Sequence, residues 1–539
     1  LKEKDMKRMV RVFLVVGMVA ALFSCATSPI VRPDVEHTLV ILHTNDFHGH
    51  PVAFYDYPVD GQGGLPAQAT LVEEVRAANP NVLVVSAGDI NTGRPESNFF
   101  NARPDILGHN YIGYDLLAMG NHEFDPSPEE MQKQIAESGF PWLCANVVKE
   151  DGSYIDHVKP YIIKDYHDFK VAVIGLMTTE TAESGTPAHI RGYRFRDEVE
   201  VASKLFQELK TKADIVLAVA HMGIYEDDSM GSRRLAKHVP GLALIVDGHT
   251  HTLLEEPIHV TDPETGRGTA IVQAGKWGLY VGKATLKFMN GEVTSLDWKP
   301  VPINVQKRET LADGSKVTKY VDKEIPPDAT LAAMLQPYVD KVDGILNEKI
   351  GRAEMTFLNT DSRKKETPIG DLVADSMLWY VNSMNLGADF ALQNGGGIRT
   401  GIPEGEIRKR TIYEVIPFDN TVMTVTLRGA DLIDLFNQTP QAVGHGAMPQ
   451  VSEGVSFVID SAGGTVSEVT INGVPIDPER EYVVATNSYL AAGGDGYRVI
   501  LKKVSEYDTS LMQRDALIEY ILHLGGKIRP VEAGRFSIK

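Results

Sequence analysis

The sequence predicts an α/β protein built as two successive units. Three observations lead there. A chain of 539 residues exceeds what one ordinary hydrophobic core accommodates. Short apolar, β-branched runs alternate with amphipathic stretches from Thr38 to about Asp297, as packed α/β layers require. A Lys-, Pro- and Asp-rich stretch then breaks this pattern before a second, mixed segment begins. Hydrophobic residues make up 43% and charged residues 23% of the chain, values of a folded globular protein without long disordered or fibrous tracts.

Taken in order, the chain opens on a basic stretch, Met6-Lys7-Arg8-Met9-Val10-Arg11, with the start expected at Met6 or Met9. Val12 to Phe23 is an apolar run suited to a signal peptide and too short to span a bilayer. Leu22-Phe23-Ser24-Cys25 resembles a bacterial lipoprotein box, in which the cysteine is lipidated and begins the mature chain. The expectation is a signal peptide over 1–25, a linker over 26–37, and an exported lipoprotein of the periplasm or cell surface, anchored to a membrane through Cys25. Cys144 is the other cysteine; it reads as a small core residue, so no intramolecular disulfide is expected after processing. A net charge of −19 argues against a nucleic-acid polymer as partner, because such binding runs on Lys and Arg neutralising phosphates. A small phosphorylated substrate would need local positive charge.

The strands of the first unit, expected over 38–324, are read from Leu39–Leu42, Val82–Val85, Val171–Ile174, Ile215–Val219 and Leu242–Val246. Most run directly into polar or glycine-containing residues, which places chemistry at their carboxyl ends. Leu331, Met334, Leu335, Tyr338, Val339 and Val342 then share one face of a helix, read as a connector and hinge over 325–351. The second unit, 352–539, begins with a helix over Ile369–Asn385 and mixes strands, helices and glycine-rich turns.

The strand ends carry the chemistry. Asp46 and His48 follow the first strand, where an extended chain would point both side chains the same way, within reach of one cation. One Asp-x-His alone reads as an ordinary turn. The arrangement recurs, however, at Gly88-Asp89, at Gly120-Asn121-His122-Glu123-Phe124-Asp125, at His221 and at Gly248-His249-Thr250-His251. Imidazole, carboxylate and amide oxygen suit Zn, Mn, Co or Fe better than calcium or a thiolate-seeking metal. His122 and Asp125, three residues apart, are placed to pair, the carboxylate orienting the imidazole. Glu123 reads as a group that orients ligands. The remaining histidines of the first unit, such as His43, His50 and His109, read as structural or solvated.

In the second unit, Asn394-Gly395-Gly396-Gly397-Ile398-Arg399 sets an amide and a guanidinium around a backbone that a ligand can approach closely. Pro417-Phe418-Asp419-Asn420 and the stretch from Tyr489 to Tyr497 put aromatic rings in polar or glycine-rich loops, suited to stacking on a nucleobase. Taken singly, the hexapeptide reads first as a glycine loop with a surface arginine, and each aromatic as a core residue.

As an ordered set, these motifs resemble the calcineurin-like metallophosphoesterases, and within them the bacterial 5′-nucleotidase and UDP-sugar hydrolase family, from about Thr38 to Lys539. The resemblance implies a four-layer α/β/β/α catalytic domain joined by a helix to a mixed α/β substrate-binding domain. It also implies two divalent metal ions, one held by Asp46, His48 and His251, the other by Asn121, His221 and His249, with Asp89 bridging. Some relatives have glutamine or asparagine where His251 stands. His122 and Asp125 are implied as the catalytic pair. Phe418 and Tyr489 would stack on the base, Asp495 would meet the ribose hydroxyls, and Asn394 and Asn420 would be substrate contacts. Arg363, located through Thr367-Pro368-Ile369-Gly370-Asp371, and Arg399 would bind phosphate. Tyr489 stands where phenylalanine is common.

The activity implied is hydrolysis of nucleoside 5′-monophosphates, and of UDP-sugars or other nucleotide pyrophosphates, by a monomer whose domains close about the hinge. The competing expectations are a 2′,3′-cyclic nucleotide 2′-phosphodiesterase/3′-nucleotidase of the same plan, and a non-catalytic nucleoside-binding lipoprotein.

Overall fold

A computed structural model describes residues 34–539, except 57–58, 227, 264–265, 267, 312–314 and 531–533. The expected signal peptide, Cys25 and most of the linker lie outside the described residues. Among those described, no helix is long and apolar enough to cross a membrane.

The first unit stacks two sheets face to face. One has seven strands, in the order Glu292–Pro302, Tyr280–Met289, His37–Thr44, Val82–Ser86, Leu116–Ala118, Trp142–Leu143, Val158–Lys159. The other has six, in the order Ile258–Thr261, Gly268–Val272, Leu244–Val246, Ile215–His221, Lys170–Met177, Tyr161–Asp165. Strand alternation explains the layering, because successive side chains point to opposite faces. Leu39 and Ile41 join Leu83, Val85, Val173, Leu217 and Val246 in the core between the sheets. Val40 and Leu42 turn outward with Val84 onto the helices Leu65–Ala78 and Arg103–Ile112. On the second sheet, Ile174, Val216 and Ala218 meet Phe206 and Leu209 of the helix Glu198–Leu209. Strands buried on both faces must be nearly continuous apolar runs, and these are. The four-layer α/β/β/α arrangement follows. Cys144 is buried in this unit.

The helix Ala329–Leu346 is capped by Asp328, whose carboxylate accepts from the Leu331 amide at 2.7 Å. Its buried stripe is narrower than the sequence suggests: Leu331, Leu335, Val342 and Leu346 are covered, whereas Met334 is 37% exposed. The helix packs on the first unit along one side only, so Met334 has nothing to pack against.

In the second unit a five-stranded sheet runs Pro449–Val451, Phe390–Asn394, Glu481–Asn487, Thr421–Arg428, Ser505–Met512. The helices Pro368–Ser383 and Gln513–His523 pack together over Ala391, Val422 and Ala485 of that sheet, while Gly429–Asn437 packs against its other core around Phe390 and Val425. The Asn394, Phe418 and Tyr489 loops emerge toward the first unit.

Candidate active site

Five strands of the first unit deliver the expected metal ligands to one spot. His37–Thr44 leads to Asp46 and His48, Val82–Ser86 to Asp89, and Leu116–Ala118 to a short turn at Asn121–Phe124. Ile215–His221 ends on His221 itself, and Leu244–Val246 leads to His249 and His251. The extended path expected between Asp46 and His48 is not what forms. Both are left-handed, at φ 50° and 47°, as are Asp89 at 57°, His249 at 80° and His251 at 56°. Non-glycine residues adopt this region at a cost, and such strain gathers at functional sites. The loops hold it through backbone bonds to one another: Asp46 N–H donates to Gly88 C=O at 3.0 Å, and His48 N–H to Asp89 C=O at 2.8 Å. Crowding explains the glycines of the motifs. A Cβ on Gly120 would lie 2.2 Å from Asp89 Oδ1, and one on Gly248 would lie 2.7 Å from His221 Nδ1.

The donor atoms converge. His221 Nε2 stands 3.0 Å from Asp89 Oδ2 and 3.8 Å from Asp46 Oδ1. His251 Nε2 lies 3.3 Å from Asp46 Oδ1 and 3.1 Å from His48 Nε2, which is 3.8 Å from Asp89 Oδ2. His249 Nδ1 lies 2.9 Å from Asn121 Oδ1. Asp46, His48, Asp89 and His221 are at most 1% exposed. Backbone carbonyls orient the rings from behind, with His221 Nδ1 2.7 Å from Ala87 O and His48 Nδ1 3.2 Å from Asn91 O. With Nδ1 so engaged, the buried His221 Nε2 faces Asp89 and Asp46 without a well-aligned hydrogen bond to either. An imidazole nitrogen so placed beside two carboxylates fits a cation, and the donor set fits a borderline divalent metal.

Beside this cluster, His122 Nδ1 meets Asp125 Oδ2 at 2.6 Å, and the Thr92 hydroxyl also donates to Asp125. Glu123 ligates nothing. Its carboxylate accepts from the Gly120, Asp89 and Ile90 amides at 2.6, 2.8 and 2.9 Å, fixing the loops that carry the ligands.

The second unit closes over the cluster. Arg399 Nη2 is 3.1 Å from His48 Nε2, and the Phe418 ring faces His122 with centroids 6.0 Å apart and planes inclined at 29°. Between the units is a cavity of about 1750 Å³. Six of the nine expected first-unit residues line it; Asp46, His48 and His221 lie beneath its floor. All seven expected second-unit residues line it: Arg363, Asn394, Arg399, Phe418, Asn420, Tyr489 and Asp495.

Known proteins match both halves. The calcineurin-like phosphoesterase family model covers residues 39–253, and the model of the 5′-nucleotidase C-terminal domain covers 349–502. Protein UshA of Yersinia enterocolitica is 34% identical, over 94% of this chain and 94% of its own. The chain belongs to the 5′-nucleotidase family of metallophosphoesterases. A 5′-nucleotidase of Vibrio cholerae is likewise 34% identical over 97% of this chain and 96% of its own. The crystal structure of a 5′-nucleotidase precursor from Thermus thermophilus superposes with a TM-score of 0.83 at 28% identity, covering 93% of this chain and 99% of that one.

As in any metallophosphoesterase, charge decides what this site can hold. Burial alone would raise the Asp89 pKa, but His221, His122 and His48 outweigh it and hold the carboxyl well below its ordinary range. Conversely, burial would lower His221, but Asp89 and Asp46 push it up to about 10. The field that favours a proton there also favours cations. Burial lowers Arg399 to about 10, with the neighbouring Arg363 guanidinium adding to the effect. Two desolvated guanidinium groups side by side make an anion site, and the Arg363 guanidinium has no hydrogen-bond or ion-pair partner among the described residues.

Sequence motifs of the family do not reveal every residue at the site. Glu180 follows the strand Lys170–Met177, accepts a bond from the Tyr225 hydroxyl at 2.7 Å, and lies 3.2 Å from His249 Nε2. Its carboxylate therefore orients the ring whose other nitrogen faces Asn121. Thr178-Thr179-Glu180 follows the strand read at Val171–Ile174, so the rule that strand ends carry chemistry could have found it, but no histidine or Gly-Asp pair marks it. Thr92, at φ 61°, bears no sequence signal at all.

Proposed function

We propose that the protein hydrolyses nucleoside 5′-monophosphates to nucleoside and phosphate, and also cleaves UDP-sugars or other nucleotide pyrophosphates, outside the cytoplasm. One observation carries this reading: paired guanidinium groups and an aromatic platform face the same cavity as the histidine and aspartate cluster. That combination matches an anion tethered to a flat ring.

Asp46, His48 and His251 would hold one divalent cation and Asn121, His221 and His249 the other, with Asp89 shared; Zn, Mn, Co and Fe all suit the donors. When bound, such a pair polarises a phosphoryl group and acidifies water. The chain's own groups account for the rest. Arg363 and Arg399 grip phosphoryl oxygens and neutralise charge gathering on them. Asp125 fixes His122 through Nδ1, which leaves Nε2 as the atom that holds a proton for the departing ester oxygen. Burial would lower the His122 pKa, but Asp125 and Asp89 reverse the shift upward, which favours the protonated ring relative to an isolated imidazole. Phe418 and Tyr489 stack on the base, Asp495 takes the ribose hydroxyls, and Asn394 and Asn420 complete the pocket.

In this reading 38–324 is the catalytic domain, 352–539 the nucleotide-binding domain, and 325–351 the hinge about which a monomer opens to exchange substrate. Export follows the expected signal peptide, with a lipid on Cys25 as the anchor. Phosphate release from AMP, UDP-glucose and 2′,3′-cyclic AMP, each with EDTA or added Mn²⁺ and alongside His122→Ala, tests it. Metal-dependent release from AMP that collapses in the variant is expected. Folded, metal-loaded protein that turns over none of the three would overturn the assignment, and selective turnover of the cyclic substrate would replace it.

A further inference from the structure

We infer that the Tyr489 hydroxyl is a positioning and specificity group that presents Asp495 to a vicinal diol, making the enzyme selective for ribonucleotides over sugars lacking that diol. The inference rests on the reading that the second domain holds a nucleoside.

Asp495 sits in a short turn, Gly494–Gly496, at φ 51°, a conformation uncommon outside glycine, though aspartate tolerates it better than most. Tyr489 holds it twice over. Its hydroxyl oxygen accepts from the Asp495 backbone N–H at 2.9 Å and its proton goes to Asp495 Oδ1 at 2.8 Å. One atom thus fixes both the left-handed backbone and the side-chain rotamer. The other carboxylate oxygen, Oδ2, accepts from Asn394 Nδ2 at 2.7 Å. Asn394 is in turn held by Asn487 Nδ2, which donates to its Oδ1 at 3.2 Å. Donors from two separate loops therefore clamp one carboxylate at the cavity wall.

Among the described residues no lysine or arginine forms an ion pair with Asp495. Each of its oxygens has accepted a single protein hydrogen bond and retains capacity for another. The Arg363 guanidinium attracts the carboxylate electrostatically but bonds neither oxygen, so two adjacent acceptors in fixed orientation remain to meet a pair of neighbouring hydroxyl donors. A 2′,3′-diol supplies those. Polar sites built to meet a substrate hydroxyl discriminate strongly against analogues lacking it, because the buried acceptor is otherwise left unpaired. Without the Tyr489 hydroxyl, the carboxylate keeps its place in the cavity but loses its fixed direction.

The experiment compares kcat/KM for AMP and for 2′,3′-dideoxy-AMP in the metal-loaded full chain, in Tyr489→Phe and in Asp495→Asn. The ratio of the two substrates on one sample cancels any loss of folded or loaded protein. Tyr489→Phe keeps the ring for stacking. The expected result is a wild-type preference for AMP that shrinks about 10- to 150-fold in Tyr489→Phe, the size of one hydrogen bond to a charged group, and at least as much in Asp495→Asn. If Asp495→Asn loses the preference while Tyr489→Phe keeps it, the role given to the hydroxyl is wrong and the nucleoside reading of the domain stands. If neither variant changes the ratio, or the wild-type protein shows no preference, the diol assignment itself falls, and the inference with it.

Discussion

The two walls of the cavity are organised by different means. On the metal side, Asp46, His48, Asp89, His249 and His251 all sit at positive φ. Their loops are bonded backbone to backbone and packed so closely that the adjacent glycines have no room for a methyl group. On the substrate side, Asp495 alone among the seven expected residues is left-handed, and the order comes from side chains bonded to side chains, as in the Tyr489, Asp495 and Asn394 chain. Backbone-built geometry tolerates almost no change. Geometry built from side chains responds in steps.

That contrast predicts a ranking of effects. The largest belongs to Asp89→Ala, which removes the carboxylate shared by both donor sets; kcat/KM for AMP should fall about a thousandfold or more, with metal content per chain measured by elemental analysis falling alongside. Gly120→Ala tests whether backbone crowding alone matters, since its methyl would collide with Asp89 Oδ1 without removing any ligand. A loss of about a hundredfold with reduced metal affinity is expected, of the order seen when groups supporting metal ligands are altered. Retention of wild-type metal affinity would break the comparison.

On the substrate side, Phe418→Ala should raise KM for AMP by roughly 5- to 150-fold, the equivalent of about 1–3 kcal/mol of stacking, with metal content unchanged. Smaller still is the contribution of the contacts that join the walls. Arg410 pairs with Glu96 of the first unit and, at 2.6 Å, with Asp343 of the connecting helix, while Arg94 meets Glu414 at 2.7 Å. Arg410→Ala should loosen closure and reduce kcat/KM about three- to tenfold in steady-state assays, without altering metal binding.

The smallest effect on catalysis is expected at a buried carboxyl outside both walls. Burial pushes Asp105 up to about 8, and neither of its carboxyl oxygens has a hydrogen-bond partner among the described residues. Between the ordinary carboxyl pKa and that value the folded state keeps a proton that the unfolded state has released. Stability therefore falls as pH rises through this window and levels off above it. Asp105→Asn carries no such proton, so its melting temperature should gain on the wild type steadily from about pH 4 to pH 8, by a stability difference on the order of a few kcal/mol, while AMP turnover changes little. A constant difference across that range would show that Asp105 is ionised when folded.

What could be read in advance follows the same division. Every metal-side residue proposed lies at the end of a strand or within a few residues of it, so periodicity located the strands and the Gly-Asp, Gly-Asn-His and His-x-His spacings marked their ends. Second-unit motifs were individually weak, because a glycine loop with an arginine and a lone aromatic recur in many proteins, and only their order carried meaning. Helical periodicity over the connector placed Met334 with Leu331 and Leu335, but a helix covered along one side buries a narrower stripe, and Met334 faces outward.

By itself, then, the sequence determined the α/β class, the strand ends that bear ligands and the order of the motifs, since these are properties of local patterning. Tertiary structure decided the left-handed turns at Asp46 and His48, which local preference permits but does not require and which persist because Gly88, Asp89 and Ile90 bond the loop in place. It also decided the partners that lie far apart along the chain: Glu180 behind His249, Thr92 behind Asp125, and Arg399 over His48. Such contacts exist only once separate strands and two separate cores have been packed, so their energies are invisible to any reading of neighbours along the chain.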